Sequence, residues 1–329
     1  MKVLLTGAFG NVGISTLEEL IQQGHTVRCF DVPTRRNRRI AHRYTQLCEI
    51  YWGDLRDAEA VHQAVRDQDV AIHLAFIIPT LSITGRQCEK EPEFAYQVNV
   101  QGTQHLIHAL ASQPKPMRLI FSSSLHVYGQ TQDCPPPRTT NDPVQPIEHY
   151  ARHKVLCESM IKDASLTWMI ARFAAVLPID LKLDPGMFDV PLNNRIEYVH
   201  TRDVGLALTN ALRTDAVWGK TLHLGGGPAC QYYYYQIVDQ IMNALGIGML
   251  PERAFGTVPF CTDWLDTSES QSLLHYQRFN LDDYVQDLLK LMGFRRYLMR
   301  WLKPFVRANL LRKSPYYPGH LRGVHDMVG

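Results

Sequence analysis

The feature that most constrains the fold is a glycine-rich turn near the start of the chain. Its sequence is Thr6-Gly7-Ala8-Phe9-Gly10-Asn11-Val12-Gly13, and it follows the apolar run Lys2–Thr6 and opens the amphipathic stretch Gly13–Gln23. A strand, a glycine turn and a helix in this order form the first unit of a parallel sheet that binds a dinucleotide. Glycines let backbone N–H groups approach a pyrophosphate at the helix N-terminus. We therefore expect a cofactor site at Gly7, Phe9, Gly10, Asn11, Val12 and Gly13.

The first half of the chain alternates short apolar runs with amphipathic stretches, which is the pattern of βαβ units. The predicted strands are Lys2–Thr6, His25–Phe30, Val70–Ala75, Arg118–Ser122, Thr167–Ala171 and Thr221–Leu224. Helices are predicted over Gly13–Gln23 and Pro92–Ala111, from near Ile147, and from the Tyr232–Tyr235 run. The fold class is therefore α/β, a Rossmann-type doubly wound parallel sheet with a smaller, mainly helical C-terminal substrate lobe.

The change in texture after residue 226 suggests two domains. We expect residues 1–176, with 196–226 returning to them, to form the dinucleotide-binding domain. Residues 177–195 and 227–329 are expected to form the substrate lobe, which ends in a basic tail.

Composition excludes several classes of protein. The 34 basic and 32 acidic side chains nearly cancel, so the chain as a whole has no nucleic-acid signature. The longest apolar run, residues 71–78, is far short of the roughly 20 residues that span a bilayer. Seven scattered cysteines without a C-x-x-C pair predict reduced thiols and no metal site. With no signal peptide before the glycine turn, we expect a soluble, cytoplasmic protein.

The tail is a distinct basic element. Residues 294–323 contain eight basic side chains and no acidic one. Apolar residues alternate with these cations, namely Phe294, Leu298, Trp301, Leu302 and Phe305. Such a segment either lies on anionic lipid or packs on the domain with its basic face in solvent. Because Pro304 interrupts a long amphipathic span, we favour packing over contact with a membrane surface.

Asp31, at the end of the second predicted strand, bears on the choice of cofactor. A carboxylate there accepts hydrogen bonds from both adenosine ribose hydroxyls and repels a 2′-phosphate. The nearby arginines Arg35, Arg36, Arg38 and Arg39 offer bidentate contacts to such a phosphate. They follow Asp31 by four or more residues, where we expect a solvated loop. We therefore predict NAD rather than NADP.

Tyr150 and Lys154 lie one helical turn apart on the same face of a predicted helix. A nearby ammonium stabilises phenolate and lowers the pKa of a tyrosine from near 10. Tyr150 is thus a candidate acid/base for a hydroxyl whose carbon exchanges hydride. Of the three serines that end the strand before it, Ser124 is our candidate for orienting the same oxygen.

These pieces belong to a longer ordered series. It continues with Gly53-Asp54-Leu55, His73-Leu74-Ala75, Asn99-Val100-x-Gly102-Thr103, Ser122-Ser123-Ser124-x-x-Val127-Tyr128-Gly129, Arg172-Phe173, Val199-His200-x-x-Asp203-Val204 and Leu224-Gly225-Gly226-Gly227. Over about its first 227 residues the chain resembles an extended short-chain dehydrogenase/reductase of the NAD-dependent epimerase/dehydratase family.

The resemblance implies roles for specific residues. Asp54 and Leu55 would lie near the adenine, and Leu74 and Ala75 beside the dinucleotide. Asn99 would be a helix residue that supports the site, and it is counted among the cofactor-binding residues. Ser124, Tyr150 and Lys154 would be the catalytic set. Tyr150 and Lys154 would also contact the cofactor, Lys154 at the nicotinamide ribose. Family members are often dimers through two helices, here around Pro92–Ala111 and Ile147–Asp163, so we expect a homodimer.

Three departures from the family pattern narrow the function. Leu125 and His126 replace the Asp-Glu pair with which dehydratases eliminate water, which argues against a dehydratase. Only 27 residues separate Arg172 from His200, where nucleotide-sugar epimerases carry a long insertion that grips the nucleotide. Leu177-Pro178-Ile179 replaces the usual Tyr-Gly-Pro. This replacement is consistent with a remodelled substrate entrance, and the short segment before His200 favours a small or apolar substrate.

The remaining polar candidates lie around the expected substrate space. His126 and His149 are tentative substrate residues, although a histidine without catalytic duty is favoured for each, and Arg172 is a third. We expect His200 to anchor a structural hydrogen bond. The sequence therefore predicts an NAD-dependent oxidoreductase or epimerase acting on a small-molecule secondary alcohol or ketone. A nucleotide-sugar epimerase and a non-catalytic dinucleotide-binding sensor or scaffold are the alternatives.

Overall fold

The apolar runs of the first half assemble into a seven-stranded parallel sheet, seen in a computed structural model that describes residues 1–79, 85–115, 117–182 and 184–317. The strands are β1 (Lys2–Thr6), β2 (Thr26–Asp31), β3 (Glu49–Trp52), β4 (Val70–His73), β5 (Arg118–Ser124), β6 (Thr167–Phe173), β7 (Arg195–Glu197), β8 (Lys220–Leu224) and β9 (Gln231–Tyr233). The helices are α1 (Asn11–Gln22), α2 (Arg35–Ala41), α3 (Ala58–Val65), α4 (Pro92–Tyr96), α5 (Gly102–Ala111), α6 (His149–Asp163), α7 (Thr201–Ala211), α8 (Tyr234–Ala244), α9 (Ser268–Leu274), α10 (Leu281–Met292) and α11 (Arg295–Lys313).

The strand order fixes where a ligand can bind. The order across the sheet is β3-β2-β1-β4-β5-β6-β8, with every neighbouring pair parallel. The chain moves outward in opposite directions from β1, which pairs with β2 on one side and β4 on the other. In open α/β sheets ligands bind at the carboxyl ends of the strands beside such a reversal. The predicted Rossmann-type fold is confirmed.

Both faces of the sheet are buried, as expected for parallel strands covered by helices. Val3 and Leu5 of β1 point to one face, where they share a core with Leu17 of α1. Leu4 points to the other face and shares a core with Leu106 of α5. This alternation explains why β1 is apolar throughout.

A third core holds the C-terminal lobe together, with Ile237 of α8, Leu288 of α10 and Leu310 of α11 among its members. The prediction that a helix starts within Tyr232–Tyr235 is correct for the second pair of tyrosines and wrong for the first pair. Tyr232 and Tyr233 belong to β9, which pairs antiparallel with β7, and α8 begins only at Tyr234. The division into the two predicted domains stays a prediction.

Helix α2 replaces the solvated loop expected for the arginine cluster. Thr34 caps it by accepting a hydrogen bond from the Asn37 amide at 3.1 Å. Arg36 Nη1 donates to the Phe9 carbonyl at 2.7 Å, and the Arg38 guanidinium lies 5.4 Å from the centre of the Trp52 ring. Arg36 and Arg38 therefore contact the glycine turn and β3, which the local sequence does not reveal, while all four arginines stay exposed to solvent as expected.

The predicted packing of the basic tail is correct for one face of α11 and wrong for another. Met299, Val306, Leu310 and Leu311 pack against the lobe. The five apolar residues named above instead stay in solvent, exposed by 73% (Phe294), 49% (Leu298), 81% (Trp301), 46% (Leu302) and 74% (Phe305). The end of the tail, with Arg322, lies outside the described residues. No helix in the described ranges is long and apolar enough to cross a membrane.

The predicted helix over Pro92–Ala111 is continuous but not uniform. Between α4 and α5 the residues Gln97–Gln101 form a π-helical turn. Such wide turns occur often at functional sites because they reorient a side chain within a helix. Here the turn contains Asn99, which is fully buried.

Candidate active site

A cavity of about 830 Å³ extends from the glycine turn to the C-terminal lobe. Most of the predicted site residues lie on its walls: Gly7, Gly10, Asn11, Val12, Gly13, Asp31, Asp54, Leu55, Leu74, Ala75, Ser124, His126 and Tyr150. It opens at the carboxyl ends of β1 and β4, where the strand order reverses. Its volume is within the range of small-molecule sites, about 300–1,000 Å³.

The glycine turn has the geometry of a phosphate cradle. Gly7 adopts a positive φ of 68°, and a Cβ on Gly13 would lie 2.1 Å from the Gly7 carbonyl oxygen. No side chain of the described residues caps the N-terminus of α1. Its first N–H groups therefore remain as donors beside the positive end of the helix dipole. The turn fits a pyrophosphate.

Phe9 contributes to the site through its backbone. Its ring is fully buried in the core, with its centre 5.5 Å from that of Trp52. Its amide donates to Asp31 Oδ2 at 2.9 Å. The expectation that Phe9 binds the cofactor therefore applies to its backbone only, since the side chain points away from the cavity.

Asp31 is only 6% exposed where β2 meets the cavity. Asp31 Oδ1 accepts hydrogen bonds from the Val32 amide at 2.8 Å and from Asn37 Nδ2 at 3.0 Å. Burial raises the pKa of Asp31 to about 6, although the Phe9 and Val32 amides and the Arg36 charge oppose the increase. The carboxylate is held in place and remains ionised at neutral pH.

The three serines that end β5 are not equivalent. The Ser122 hydroxyl donates to the His73 carbonyl at 2.9 Å, and the Ser123 hydroxyl donates to Glu158 Oε1 at 2.5 Å. Ser124 accepts a bond from the His126 amide at 3.2 Å and contacts the Tyr150 hydroxyl. The hydroxyls of Ser122 and Ser123 are thus engaged within the fold, and that of Ser124 faces the cavity.

Tyr150 lies in the first turn of α6. Glu89 accepts hydrogen bonds from the amides of His149 and Tyr150 at 3.1 and 2.9 Å, so it fixes the start of this helix. The Tyr150 ring packs edge-on against Phe76 and His126. Burial raises the pKa of the phenol above its usual range, and the hydrogen bond with Ser124 opposes this increase.

Lys154 is 2% exposed and surrounded by aromatic rings. Its ammonium lies 3.4 Å from the centre of the Phe76 ring and donates to the Ser122 carbonyl. Burial lowers the pKa of Lys154 to about 7. The Tyr150 ring centre is 5.6 Å from this ammonium. The lowering of the Tyr150 pKa expected from Lys154 is not seen, because burial of the phenol dominates.

Asn99 holds the strand-end segment that forms part of the cavity wall. Its side chain accepts from the Ile77 amide at 2.6 Å and donates to the Ile77 carbonyl at 3.0 Å. It also contacts His153 Nδ1 at 3.3 Å. The amide therefore connects the segment after β4 with α6, in agreement with the supporting position that the resemblance implied. Asn99 is fully buried and does not line the cavity, so the predicted contact with the cofactor is not supported.

Of the three tentative substrate residues, only His126 lies on the cavity wall. Its Nδ1 is 2.8 Å from Glu148 Oε2, and its ring packs edge-on against Phe260. His149 is exposed at the start of α6, close to His153 and off the cavity wall, which favours the alternative of a histidine without catalytic duty.

Arg172, the third tentative substrate residue, also lies off the cavity wall. It is 4% exposed and forms a paired ion bridge with Glu158, with Nε–Oε1 at 2.9 Å and Nη2–Oε2 at 2.7 Å. Its Nη1 donates to the Tyr128 hydroxyl at 2.7 Å. Arg172 is thus a structural cation beneath the site.

His200, as predicted, anchors a structural hydrogen bond. Its side chain caps α7 by accepting a hydrogen bond from the Arg202 amide at 3.2 Å.

Sequence reasoning missed two residues at the site. Phe76 provides the ring next to Lys154, and Glu89 fixes the start of α6 from a loop far away in sequence. Phe76 directly follows the His73-Leu74-Ala75 motif, so its position in the sequence could have indicated an aromatic residue at the site. Glu89 had no comparable signal, because its role depends on a contact across about 60 residues.

The parallel sheet, the glycine turn at its point of reversal and the carboxylate at the end of β2 together define a Rossmann-type α/β protein. The model of the NAD dependent epimerase/dehydratase family matches residues 3–177, and the chain belongs to that family. The resemblance inferred from the motifs is confirmed.

Curated relatives include enzymes named for different substrates. The chain is 30% identical over 162 residues to N-acetyl-alpha-D-glucosaminyl-diphospho-ditrans,octacis-undecaprenol 4-epimerase of Escherichia coli O157:H7, covering 49% of this chain and 43% of the relative. It is 28% identical over 219 residues to UDP-glucose 4-epimerase 2 of Arabidopsis thaliana (62% and 60%). It is 32% identical over 133 residues to 3-beta-hydroxysteroid dehydrogenase of Mycolicibacterium neoaurum (40% and 34%). The chain thus spans roughly half the length of the curated relatives it matches.

Solved structures share the fold over nearly the whole chain. A UDP-glucose-4-epimerase from Stenotrophomonas maltophila with bound NAD and formylated UDP-arabinopyranose aligns with a TM-score of 0.72 at 22% identity, covering 91% of this chain and 99% of that one. A short-chain dehydrogenase/reductase superfamily protein from Agrobacterium tumefaciens with bound NAD gives 0.70 at 20% identity, with 93% and 100% covered. At this identity the likeness establishes the fold.

Proposed function

We propose that the protein is an NAD-dependent oxidoreductase or epimerase of the extended short-chain dehydrogenase type. It acts on a small-molecule secondary alcohol or the corresponding ketone. The observation that carries the proposal is the convergence of Ser124, Tyr150 and buried Lys154 beside a cavity that also contains the glycine turn and Asp31. Cytoplasmic location and the two-domain division given above are part of the same proposal.

The chain's own groups fit NAD. The first N–H groups of α1 would hold the pyrophosphate, Asp31 the adenosine ribose, and Asp54 and Leu55 the adenine. Leu74 and Ala75 would lie along the dinucleotide, and Lys154 would hold the nicotinamide ribose. When bound, NAD supplies the acceptor for the hydride that leaves the alcohol carbon.

Ser124, Tyr150 and Lys154 would transfer the hydroxyl proton of the substrate and stabilise the charges that form. During oxidation Tyr150 acts as the phenolate, its own proton having gone to solvent, and takes the proton of the substrate hydroxyl. During reduction the phenol gives its proton to the substrate oxygen. The Ser124 hydroxyl donates to the substrate oxygen and keeps it next to the phenol. Lys154, when protonated, stabilises the phenolate that forms as Tyr150 loses its proton. The raised pKa of Tyr150 makes this stabilisation necessary.

A charge-removing variant of Lys154 tests this assignment. We expect Lys154→Met, which keeps the side-chain length, to lower kcat by roughly a hundredfold or more, because the phenolate loses its cation. Turnover is measured by NADH absorbance over a panel of secondary alcohols and ketones. Lys162→Met, on the same helix with its side chain 42% exposed, serves as the control and should keep full activity. Full activity in Lys154→Met would refute the assignment.

Asp31 gives a prediction about cofactor choice and pH. We expect Asp31→Asn to weaken NAD binding by roughly tenfold or more and to raise the affinity for NADP relative to NAD, because the ribose loses a charged acceptor. In the wild type, NAD affinity should fall as the pH drops through about 6, where the carboxylate becomes protonated. Titration of protein fluorescence with each dinucleotide measures both effects. Asp57→Asn, which retains a capping residue on α3, is the control.

A nucleotide-sugar epimerase is the second candidate, favoured by the names of the relatives. An epimerase returns NAD to its starting state within each cycle, whereas a dehydrogenase releases NADH. Incubation with UDP-glucose, followed by sugar analysis, separates the two. NAD binding without turnover of any alcohol, ketone or nucleotide sugar would favour the sensor alternative.

A homodimer is proposed through the helices of the dinucleotide-binding domain. Tyr96 on α4 and Leu156 on α6 are 38% and 46% exposed, unusual for large apolar residues on neighbouring helices. We expect Leu156→Arg to raise the dimer dissociation constant by roughly tenfold or more, because it buries a charge. Sedimentation equilibrium measures it, with Leu47→Arg, 56% exposed after α2, as the control. A monomeric wild type would contradict the proposal.

A further inference from the structure

Where the cavity reaches the C-terminal lobe, it is lined by aliphatic side chains. Helix α8 contributes Ile237, Val238, Ile241 and Met242, Leu245 follows directly after its last residue, and α10 contributes Leu288. These six residues define what we term the apolar chamber. The α8 residues recur at helical spacing, so one face of the helix is apolar toward the cavity. A chamber of this kind gains free energy by removing apolar surface of a ligand from water, about 25 cal/mol per Å².

The tyrosines beside the chamber do not add free polar groups. The Tyr234 hydroxyl donates to the Met187 carbonyl at 2.9 Å, and the Tyr284 hydroxyl donates to the Pro178 carbonyl at 3.0 Å. Both side chains are at least nine-tenths buried. Since each hydroxyl already has a backbone partner, these two tyrosines present only the apolar surface of their rings to a ligand.

Charges at the rim oppose an anionic ligand. Away from the cofactor end, the carboxylates on the cavity wall outnumber the cations, being Glu89, Glu148, Asp180, Asp184 and Asp189 against Lys90 and Lys182. No arginine lines the cavity among the described residues. Apart from the N-terminus of α1, which the cofactor would use, the wall offers no arginine fork or cluster of cations to a second diphosphate, and the carboxylates would repel one.

We propose that the apolar chamber binds the body of an uncharged, largely apolar secondary alcohol or ketone whose oxygen lies between Ser124 and Tyr150. This inference rests on the proposed function and names its substrate class. Oxidation breaks the carbinol C–H bond, with hydride leaving to NAD, and breaks the O–H bond, with the proton leaving to the Tyr150 phenolate. The carbon keeps its oxygen as a ketone, and no other reactant is needed.

Direct binding tests the chamber independently of turnover. The probes are dehydroergosterol, a fluorescent sterol with a secondary hydroxyl, and menthol, against UDP-glucose, all added to the NAD-loaded full chain. We expect at least one of the two apolar alcohols to bind and UDP-glucose to fail to displace it. Ile241→Glu should weaken the apolar alcohol by roughly tenfold or more, because it places a carboxylate against carbon. NAD affinity should stay unchanged.

Ile21→Glu is the matched control, since Ile21 is a half-buried helical isoleucine outside the cavity wall. If Ile241→Glu does not fold, Ile241→Trp blocks the chamber without adding charge and should have the same effect on binding. Tight binding of UDP-glucose alone, or unchanged alcohol binding in both Ile241 variants, overturns the proposal. Alcohol binding that persists while Tyr150→Phe leaves turnover intact would instead refute the proposed function and leave the chamber standing.

The exposed stripe of α11 carries a second inference. The stripe consists of five exposed apolar residues, Phe294, Leu298, Trp301, Leu302 and Phe305. The last four follow Phe294 by four, seven, eight and eleven positions, and this spacing places all five on one face of the helix. The side that packs against the lobe is formed by Met299, Val306 and Leu310. The stripe is therefore a separate apolar surface on the same lobe that lines the chamber.

The charge of α11 indicates what covers the stripe. Residues 295–313 include seven basic side chains and no acidic one. Arg307 is already held by the carbonyls of residues 247–249. A second copy of the helix would bring like charges together, whereas an anionic bilayer offers both hydrocarbon and opposite charge. We infer that α11 docks the lobe on an anionic lipid surface.

Vesicle co-sedimentation of the full chain tests this docking. We expect binding to phosphatidylglycerol-containing vesicles, little binding to pure phosphatidylcholine, and a loss of roughly tenfold or more in Trp301→Gln/Phe305→Gln. Val258→Gln, 67% exposed in a loop, is the control. Equal partition into both vesicle types overturns the proposal. So does self-association that the double variant abolishes without any vesicle binding.

Discussion

Tyr150→Phe is expected to reduce kcat by roughly a hundredfold to ten-thousandfold, the usual contribution of a positioned acid/base. The change removes one hydroxyl and keeps the ring between Phe76 and His126, so the walls of the site stay in place. NAD affinity should remain close to that of the wild type. Steady-state NADH absorbance and fluorescence titration measure the two quantities separately.

A second tyrosine provides the control for that experiment. The Tyr44 hydroxyl donates to Glu18 Oε1 at 2.6 Å, and Tyr44 does not line the cavity. Tyr44→Phe should therefore cost a little stability and leave kcat unchanged. If Tyr150→Phe retained full turnover, the proton would have to be exchanged elsewhere, and His126 with its Glu148 partner would become the candidate.

Arg172→Met is expected to lower the free energy of unfolding by about 3–5 kcal/mol, because it leaves Glu158 as a buried charge without its partner. Activity per folded molecule should remain, since Arg172 contacts Glu158 and Tyr128 rather than the cavity. Denaturant unfolding at neutral pH measures the loss. A selective rise in KM with unchanged stability would return Arg172 to the role of a substrate residue.

Two further variants and a pH series sharpen this test. Lys220→Met breaks an exposed pair with Glu269 and should change stability by less than about 1 kcal/mol. Arg172→Met/Glu158→Leu should recover part of the loss, since no unpaired charge remains. Burial raises the pKa of Glu158, but the Arg172 partner outweighs it and the net pKa is lowered. The stability from this pair is present above the usual carboxyl pKa and is lost as pH falls through the lowered value.

The fold was predictable because its signals are local. The apolar runs that became β1, β4, β5, β6 and β8 are each bounded by turns, and the glycine turn fixes how the first strand meets its helix. Strand β3 was not predicted, because Glu49–Trp52 is short and only partly buried. Tyr232 and Tyr233 were assigned to a helix because their strand exists only through pairing with β7.

The site was predictable where a motif gives both spacing and element. Tyr150 and Lys154 follow from helical spacing, and the Ser124 choice agrees with the engaged hydroxyls of its two neighbours. His149 and Arg172 could not be placed, because sequence does not tell which way a side chain points from its element. The apolar chamber comes from α8 and α10, which lie beyond the motifs and meet the site only in the folded chain.

A glycine at position 13 can be required for two reasons, close packing of the backbone and binding of a dinucleotide, and the crowding around Gly13 shows that the first reason suffices. Any side chain at this position would collide with the Gly7 carbonyl and with Ala8, whether or not a dinucleotide ever binds. A descendant that had lost its chemistry would therefore still need Gly13 to join β1 to α1. The glycine signature reports how the first crossover is assembled, and its presence alone does not show that a chain of this fold retains its chemistry.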